Sequence, residues 1–121
     1  MDKKKILVVD DEVGFIEVLK LRLEANGYEV VTAFDGEEAL EKIKSENPDV
    51  VILDIMLPKL NGEEVCKNIR SDPVFSKTPV IMLTGKNTDV DRIVGRVIGA
   101  DIYITKPFDS EQLLNAIKKV L

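Results

Sequence analysis

Three acidic residues follow directly after short apolar runs of this chain. Asp10 and Asp11 come after residues 6–9, and Asp54 comes after residues 50–53. Taken singly, Asp10 or Asp11 can cap a helix and Asp54 can be a turn residue. Two carboxylates about 4 Å apart repel by about 4 kcal/mol at an effective dielectric constant near 20, so a cluster of all three needs protonation, a cation or a nearby lysine. Mg²⁺ takes oxygen ligands of this kind.

Two further polar residues end apolar runs in the same way. Thr84 follows residues 80–83, and Lys106 follows residues 102–105 and precedes Pro107. Taken singly, Thr84 is typical of a strand-end hydroxyl and Lys106 of a solvated lysine. Pro107, however, restricts the backbone of Lys106 and aims it over the end of the run. An ionised aspartate, a cation, a lysine and a hydroxyl together suit phosphoryl transfer to a carboxylate, since positioned cations and donors stabilise the phosphoryl oxygens.

The composition excludes several kinds of site. The chain has no histidine and one cysteine, Cys66. A Ser-His-Asp or Cys-His nucleophile, a zinc site of cysteine and histidine, and an intrachain disulfide are therefore excluded. A net charge of −5 argues against direct binding of nucleic acid by this domain. No run approaches the ~20 apolar residues of a membrane span or the pattern of a signal peptide, so we expect no membrane contact and a cytoplasmic location.

Apolar runs alternate with amphipathic segments along the whole chain. Strands are predicted over 5–9, 29–33, 50–53, 79–83 and 101–105. Helices are predicted between the strands and after the last, with clear patterns over 13–25, 88–98 and 110–121. This alternation is typical of an α/β fold with a parallel sheet covered by helices on both faces. The strand-end residues would then meet at one edge, where open α/β sheets bind ligands.

Spacing also predicts where helices begin and which faces they bury. The predicted N-cap pairs are Asp35 with Glu38, Asn61 with Glu64, Thr88 with Asp91, and Asp109 with Gln112. The first helix is expected to bury Phe15, Ile16, Leu19 and Leu23, and the last places Leu113, Leu114, Ile117, Val120 and Leu121 on one face.

Four ordered groups of residues make a family resemblance specific. They are 6–12 (ILVVDDE), 54–58 (DIMLP) with 61–62 (NG), 80–84 (VIMLT) and 99–108 (GADIYITKPF). Over essentially its whole length the chain resembles the receiver domain of two-component response regulators. The resemblance implies one domain over 1–121 and a flavodoxin-like (βα)5 fold with strand order 2-1-3-4-5. Ile102 departs from the aspartate of many relatives, and it either enlarges an apolar patch or simply packs in the core.

The resemblance also implies a role for each strand-end residue. Asp54 would accept a phosphoryl group from a sensor histidine kinase or a phosphotransfer protein. Lys106 would bind a phosphoryl oxygen, in a cis Lys106-Pro107 peptide. Thr84 would shift onto the phosphoryl group and Tyr103 would turn inward with it. The implied Mg²⁺ ligands are Asp10, Asp11, Asp54 and the backbone carbonyl of Met56.

The expected output is a change of the partner-binding face. The added charge would reshape the surface around residues 87–105, and Gly95, which weakens a helix by roughly 1 kcal/mol relative to alanine, makes helix 88–98 the segment expected to move most. The partner would be a downstream protein or a separate or missing output domain. We expect no catalysis beyond the domain's own phosphoryl transfer and autodephosphorylation. The chain ends with its fifth predicted helix, so no second domain is expected within it, whether it is a stand-alone receiver or an excised piece.

Three alternatives compete with this interpretation. A phosphatase of the haloacid dehalogenase type needs a second aspartate two residues after the nucleophile, where this chain has Met56. A phosphate-binding loop needs serine or threonine after Gly85-Lys86, where this chain has Asn87. A degenerate, non-phosphorylated receiver that serves as a protein-binding module would be expected to lack an acidic or switch residue, and every one is present.

Overall fold

The sheet has the predicted strand order. The computed structural model describes residues 3–85 and 99–121. The strands are β1 (Lys5–Val9), β2 (Glu29–Ala33), β3 (Val50–Asp54), β4 (Val80–Thr84) and β5 (Ile102–Thr105). They form one sheet of order β2-β1-β3-β4-β5, and all four pairings are parallel. The five predicted strands are therefore confirmed, each to within one residue at either end.

Four helices lie in the described part of the chain. They are α1 (Val13–Ala25), α2 (Gly36–Glu46), α3 (Gly62–Ser71) and α4 (Ser110–Val120). The helix predicted over 88–98, with Gly95 and the Thr88–Asp91 cap, lies outside the described residues. None of the helices in residues 3–85 and 99–121 is long and apolar enough to cross a membrane.

Both faces of the sheet are buried, as the continuously apolar strands predict. Alternate residues of β1, β3 and β4 enter two separate core clusters. Helices α1 and α4 cover one face with Ile16, Leu19, Leu23, Leu113, Ala116 and Ile117. Helices α2 and α3 cover the other with Ala39, Ile43, Val65, Cys66 and Ile69. Ile102 is half-buried and packs against the first cluster, so the simpler interpretation of this residue, core packing, is the one supported.

Three of the predicted helix caps are confirmed. In each cap a side-chain oxygen accepts a backbone N–H three residues later. The bonds are Glu38 N–H to Asp35 (2.8 Å), Glu64 N–H to Asn61 (3.0 Å) and Gln112 N–H to Asp109 (2.7 Å). Each side chain satisfies a donor that a helix start leaves unpaired.

Other predictions about helix ends and buried faces were wrong in detail. Helix α1 has Glu12 at its N-cap without a side-chain cap, so neither Asp10 nor Asp11 occupies that position. Phe15 is only half-buried: it packs against the first core cluster, and its ring also lies beside the ammonium of Lys106. Leu121 is exposed, since α4 ends at Val120, one residue earlier.

Candidate functional site

The central strands bring two of the acidic residues to one crevice. β1 and β3 are neighbours, with Val9 opposite Leu53. Asp54 is the last residue of β3, and Asp10 lies directly beyond β1, where its N–H donates to the carbonyl of Ala33 (3.2 Å). Both acids are buried. The strand order reverses direction between β1 and β3, which is the usual position of a ligand site in an open α/β sheet.

Asp11 completes an acidic cluster with these two residues. One carboxylate oxygen from each of Asp10, Asp11 and Asp54 lies within 4.8 Å of the others, while Asp11 remains exposed. Three carboxylates, two of them in a buried crevice and one open to solvent, offer the hard oxygen ligands that suit a divalent cation such as Mg²⁺. The residues therefore fit a metal centre of this type.

Lys106 bridges the two buried acids. Its Nζ lies 2.9 Å from Asp10 Oδ2 and 3.2 Å from Asp54 Oδ2. β5 ends at Thr105, and the backbone N–H of Lys106 donates to the carbonyl of Thr84. The Lys106-Pro107 peptide is cis, as expected. The last strand thus delivers a positive charge to the end of the first and the third.

Burial and charge act against each other in this cluster. Burial raises the pKa of Asp54 and the charge of Asp10 raises it further, and the N–H of Met56 and the ammonium of Lys106 offset this only in part. Burial alone would lower the pKa of Lys106, but its hydrogen bond to Asp10 and the charges of both acids raise it above its usual value of 10.5. Lys106 is therefore a cation at neutral pH. The negative charge of Asp54 is only partly compensated by its neighbours, so a further cation beside it would be stabilising.

The aromatic ring of Phe15 also contacts the ammonium of Lys106. Lys106 Nζ lies 4.5 Å from the centroid of the Phe15 ring, a cation–π geometry. Phe108 meets Phe15 edge to face, with centroids 6.2 Å apart and planes at 86°. The sequence pattern placed Phe15 in the core and missed this contact. A possible signal was its place in the first turn of α1, which begins just after the paired acids.

The loop after β3 orients the Asp54 carboxylate. The N–H of Met56 donates to Asp54 Oδ1 (3.0 Å), and the N–H of Ile55 donates to the carbonyl of Leu83 on β4 (3.0 Å). The side chain of Met56 is exposed. Asp54 thus presents Oδ1 to the loop and Oδ2 to Lys106, which fixes the orientation of its carboxylate.

The two predicted switch residues lie on the strands beyond β3. Thr84 ends β4 and is fully buried, one residue past Leu83, which pairs with Asp54. Tyr103 lies on β5 and pairs with Met82 of β4; it is half-buried and packs against the core cluster of α2 and α3. Thr84 therefore shares the carboxyl edge with the acids, whereas Tyr103 lies further back along its strand.

This arrangement agrees with a family model. Residues 6–118 match the model of the response regulator receiver domain. The chain belongs to this family. It is thus a receiver domain of two-component systems, and five parallel strands of order 2-1-3-4-5 are the flavodoxin-like fold of its relatives.

Individual relatives agree along the whole chain. It is 48% identical to the alkaline phosphatase synthesis transcriptional regulatory protein PhoP of Bacillus subtilis, over 98% of this chain and 48% of that protein. The chemotaxis response regulator CheY4 of Vibrio cholerae superposes with a TM-score of 0.93 at 36% identity, covering 99% of this chain and 100% of the other. A Francisella response regulator receiver domain gives 0.92 at 36% identity, covering 98% and 96%. The chain spans about half the length of the curated relatives it matches.

Proposed function

We propose that this receiver domain is a phosphorylation-dependent signalling switch in which Asp54 accepts the phosphoryl group. The observation that carries the proposal is the position of the Asp54 carboxylate, which ends the central strand between two further acids and Lys106. A carboxylate that burial deprives of water, with a cation beside it, is suited to attack an electrophilic phosphorus.

The transfer needs no general base, because the attacking group is already ionised. An oxygen of Asp54 forms a bond to phosphorus as the bond from phosphorus to the donor breaks, and the donor leaves with that electron pair. Lys106 stabilises the negative charge of the phosphoryl oxygens, and the N–H of Met56 holds the other Asp54 oxygen in place. Mg²⁺ would be held by Asp10, Asp11, Asp54 and the carbonyl of Met56, and would supply further positive charge at the same oxygens.

The proposed response to phosphorylation involves Lys106, Thr84 and Tyr103. The phosphoryl group adds roughly −1.5 to −2 charges. Lys106 then turns from the carboxylates to the new group, Thr84 moves towards it, and Tyr103 turns inward. The surface around residues 87–105 changes with them. Of this surface, residues 99–105 belong to the described part of the chain.

Partners follow from the proposed reaction. The proposed donor is a histidine on another protein, either a sensor histidine kinase or a phosphotransfer protein, and the chain itself has no histidine that could serve instead. The downstream partner, which responds to the phosphorylated domain, is a separate protein or an output domain. The Bacillus subtilis relative is a transcriptional regulatory protein, which supports an output in gene regulation. The acidic charge supports a domain that does not itself bind nucleic acid, and a cytoplasmic location stays a prediction.

The experiment is labelling by a small-molecule donor. Incubation with acetyl phosphate and Mg²⁺ should add one phosphoryl mass to the wild type and to the control Asp49→Asn, and none to Asp54→Asn. Labelling should also slow the amide exchange of residues 99–105. Equal labelling of Asp54→Asn would overturn the assignment of Asp54. A wild type that is never labelled would favour the non-phosphorylated binding module instead.

A further inference from the structure

The loop between β3 and α3 lies directly against the first residue of α2. The N–H of Gly36 donates to the carbonyl of Pro58 (3.4 Å), which also accepts the N–H of Leu60 (2.8 Å). A Cβ on residue 36 would lie 1.9 Å from the carbonyl oxygen of Leu60 and 2.6 Å from its Cβ. The backbone of the loop therefore occupies the space that any other residue at position 36 would need for its side chain.

A second glycine lies against the start of the same loop. A Cβ on Gly62, the first residue of α3, would lie 2.3 Å from the carbonyl oxygen of Asp54 and 2.7 Å from the Cα of Ile55. The N–H of Gly62 also donates to the carbonyl of Ile55 (3.0 Å). The loop thus contacts the first residues of two helices, both of which are glycines: its start lies against Gly62 of α3, and Pro58 and Leu60 lie against Gly36 of α2.

An ion pair adds to the contact with α2. Lys59 has a positive φ of 66° and its Nζ lies 3.6 Å from Asp35 Oδ2. Asp35 is the N-cap of α2, so the helix start and the loop share it. Because Lys59 is largely exposed, this pair contributes little, and the close backbone approach at Gly36 is the main constraint.

We propose that Gly36 is a positioning residue for the phosphorylation site: it lets the loop pack against α2 and thereby fixes the peptide of Met56 beside Asp54. Gly36 reaches the site through Pro58 and Leu60. The Met56 peptide is the sensitive element, because its N–H holds Asp54 Oδ1 and its carbonyl is a proposed metal ligand. The inference rests on the proposed function of Asp54.

The chain offers a matched control for this position. Gly14 lies in the first turn of α1, and a Cβ there would meet no atom within 4 Å. Gly14→Ala and Gly36→Ala therefore add the same methyl group near a helix start, one into open space and one into the backbone of the loop. A purely structural role of Gly36 would lower the thermal midpoint of unfolding without changing the site of the folded molecule.

The test uses the whole chain at a temperature where both variants are folded. In Gly36→Ala, exchange of the Met56 amide without metal should accelerate about tenfold, and the rate of labelling by acetyl phosphate at saturating Mg²⁺ should fall about tenfold or more, since misplacing a reacting group by about 1 Å can cost 10²-fold. Both quantities should stay within about twofold of wild type in Gly14→Ala. Unchanged Met56 exchange in a folded Gly36→Ala overturns the inference.

The test still gives an answer if Gly36→Ala does not fold or if the wild type is not labelled. If Gly36→Ala does not fold, the wild type decides: titration with Mg²⁺ should slow exchange of the Gly36 amide together with that of Met56, and an unchanged Gly36 amide overturns the inference. If the wild type is not labelled at all, the proposed function fails, while the exchange of Met56 in Gly36→Ala still tests the contact with α2.

Discussion

Lysine–carboxylate clusters at the two ends of β1 use the same residue types in different surroundings. At its amino end, Lys5 Nζ lies 3.1 Å from Glu46 and 3.6 Å from Glu29, and the N–H of Lys5 donates to Asp49 (2.7 Å). At its carboxyl end, Lys106 contacts Asp10 and Asp54 at 2.9 and 3.2 Å. The distances alone do not separate the two clusters.

Burial of the acids separates them. The side chains of Lys5 and Lys106 are similarly exposed, at 26% and 24%. The acids differ, at 55% and 34% for Glu29 and Glu46 but 2% and 11% for Asp10 and Asp54. Water screens the charges at the amino end, so that cluster mainly joins α2 to the sheet. At the carboxyl end little water reaches the acids, so they can take up a cation or react.

The largest difference should follow from removing each lysine. In Lys106→Met two buried carboxylates lose their cation, so labelling by acetyl phosphate should fall about a hundredfold. The metal-free protein should lose about 2 kcal/mol of its free energy of unfolding. Labelling kinetics and urea titrations without metal check both. Lys5→Met is the matched control, and labelling within about twofold of wild type is expected. Comparable losses of labelling in the two variants would contradict the comparison.

An Asp→Asn substitution should change the free energy of unfolding in opposite directions at the two ends of β1. Asp54→Asn removes a buried charge beside Asp10 and should stabilise the metal-free protein, because burial and the charge of Asp10 raise the pKa of the Asp54 carboxyl. Asp49→Asn weakens a charge-assisted hydrogen bond to the N–H of Lys5 and should cost about 1 kcal/mol. Chemical denaturation of the two variants in parallel measures both. A destabilised Asp54→Asn would mean that this carboxylate is as well compensated as those at the amino end.

The smallest effect should come from the ring beside Lys106. Phe15→Leu keeps an apolar side chain and removes the ring face, so labelling by acetyl phosphate should slow about fivefold, which corresponds to about 1 kcal/mol of cation–π energy kept in the transition state. Phe15→Tyr keeps the ring and should restore the rate. If leucine and tyrosine behave alike, Phe15 acts only through packing, and burial of the acids alone distinguishes the two clusters.

The fold, and the meeting of the site residues at one edge of the sheet, could be predicted from the sequence for a physical reason. Strands buried on both faces must be apolar throughout, which makes the end of such a strand visible as its first polar residue, Asp10 or Asp54. Parallel strands then bring such ends to one edge without any knowledge of side-chain contacts. The caps at Asp35, Asn61 and Asp109 were predictable because they are local.

Contacts between distant segments were not predictable in the same way. An apolar pattern cannot distinguish Phe15 packed in the core from Phe15 beside an ammonium, since both sites favour the same residue. Gly36 looks like an ordinary residue after a cap, because its need for a missing side chain arises from Leu60, 24 positions later in the chain. The roles of Thr84 and Tyr103 stay predictions, since they concern a phosphorylated state.

The pairing of Lys106 with Asp10 also bears on how the domain is made. The two residues are 96 positions apart, and Lys106 is also 52 positions from Asp54. A ribosome releases the acids early and the lysine late, so β1 to β3 emerge while the carboxyl edge still lacks its ammonium. We therefore expect a nascent chain to be unable to accept a phosphoryl group efficiently until synthesis has passed residue 106.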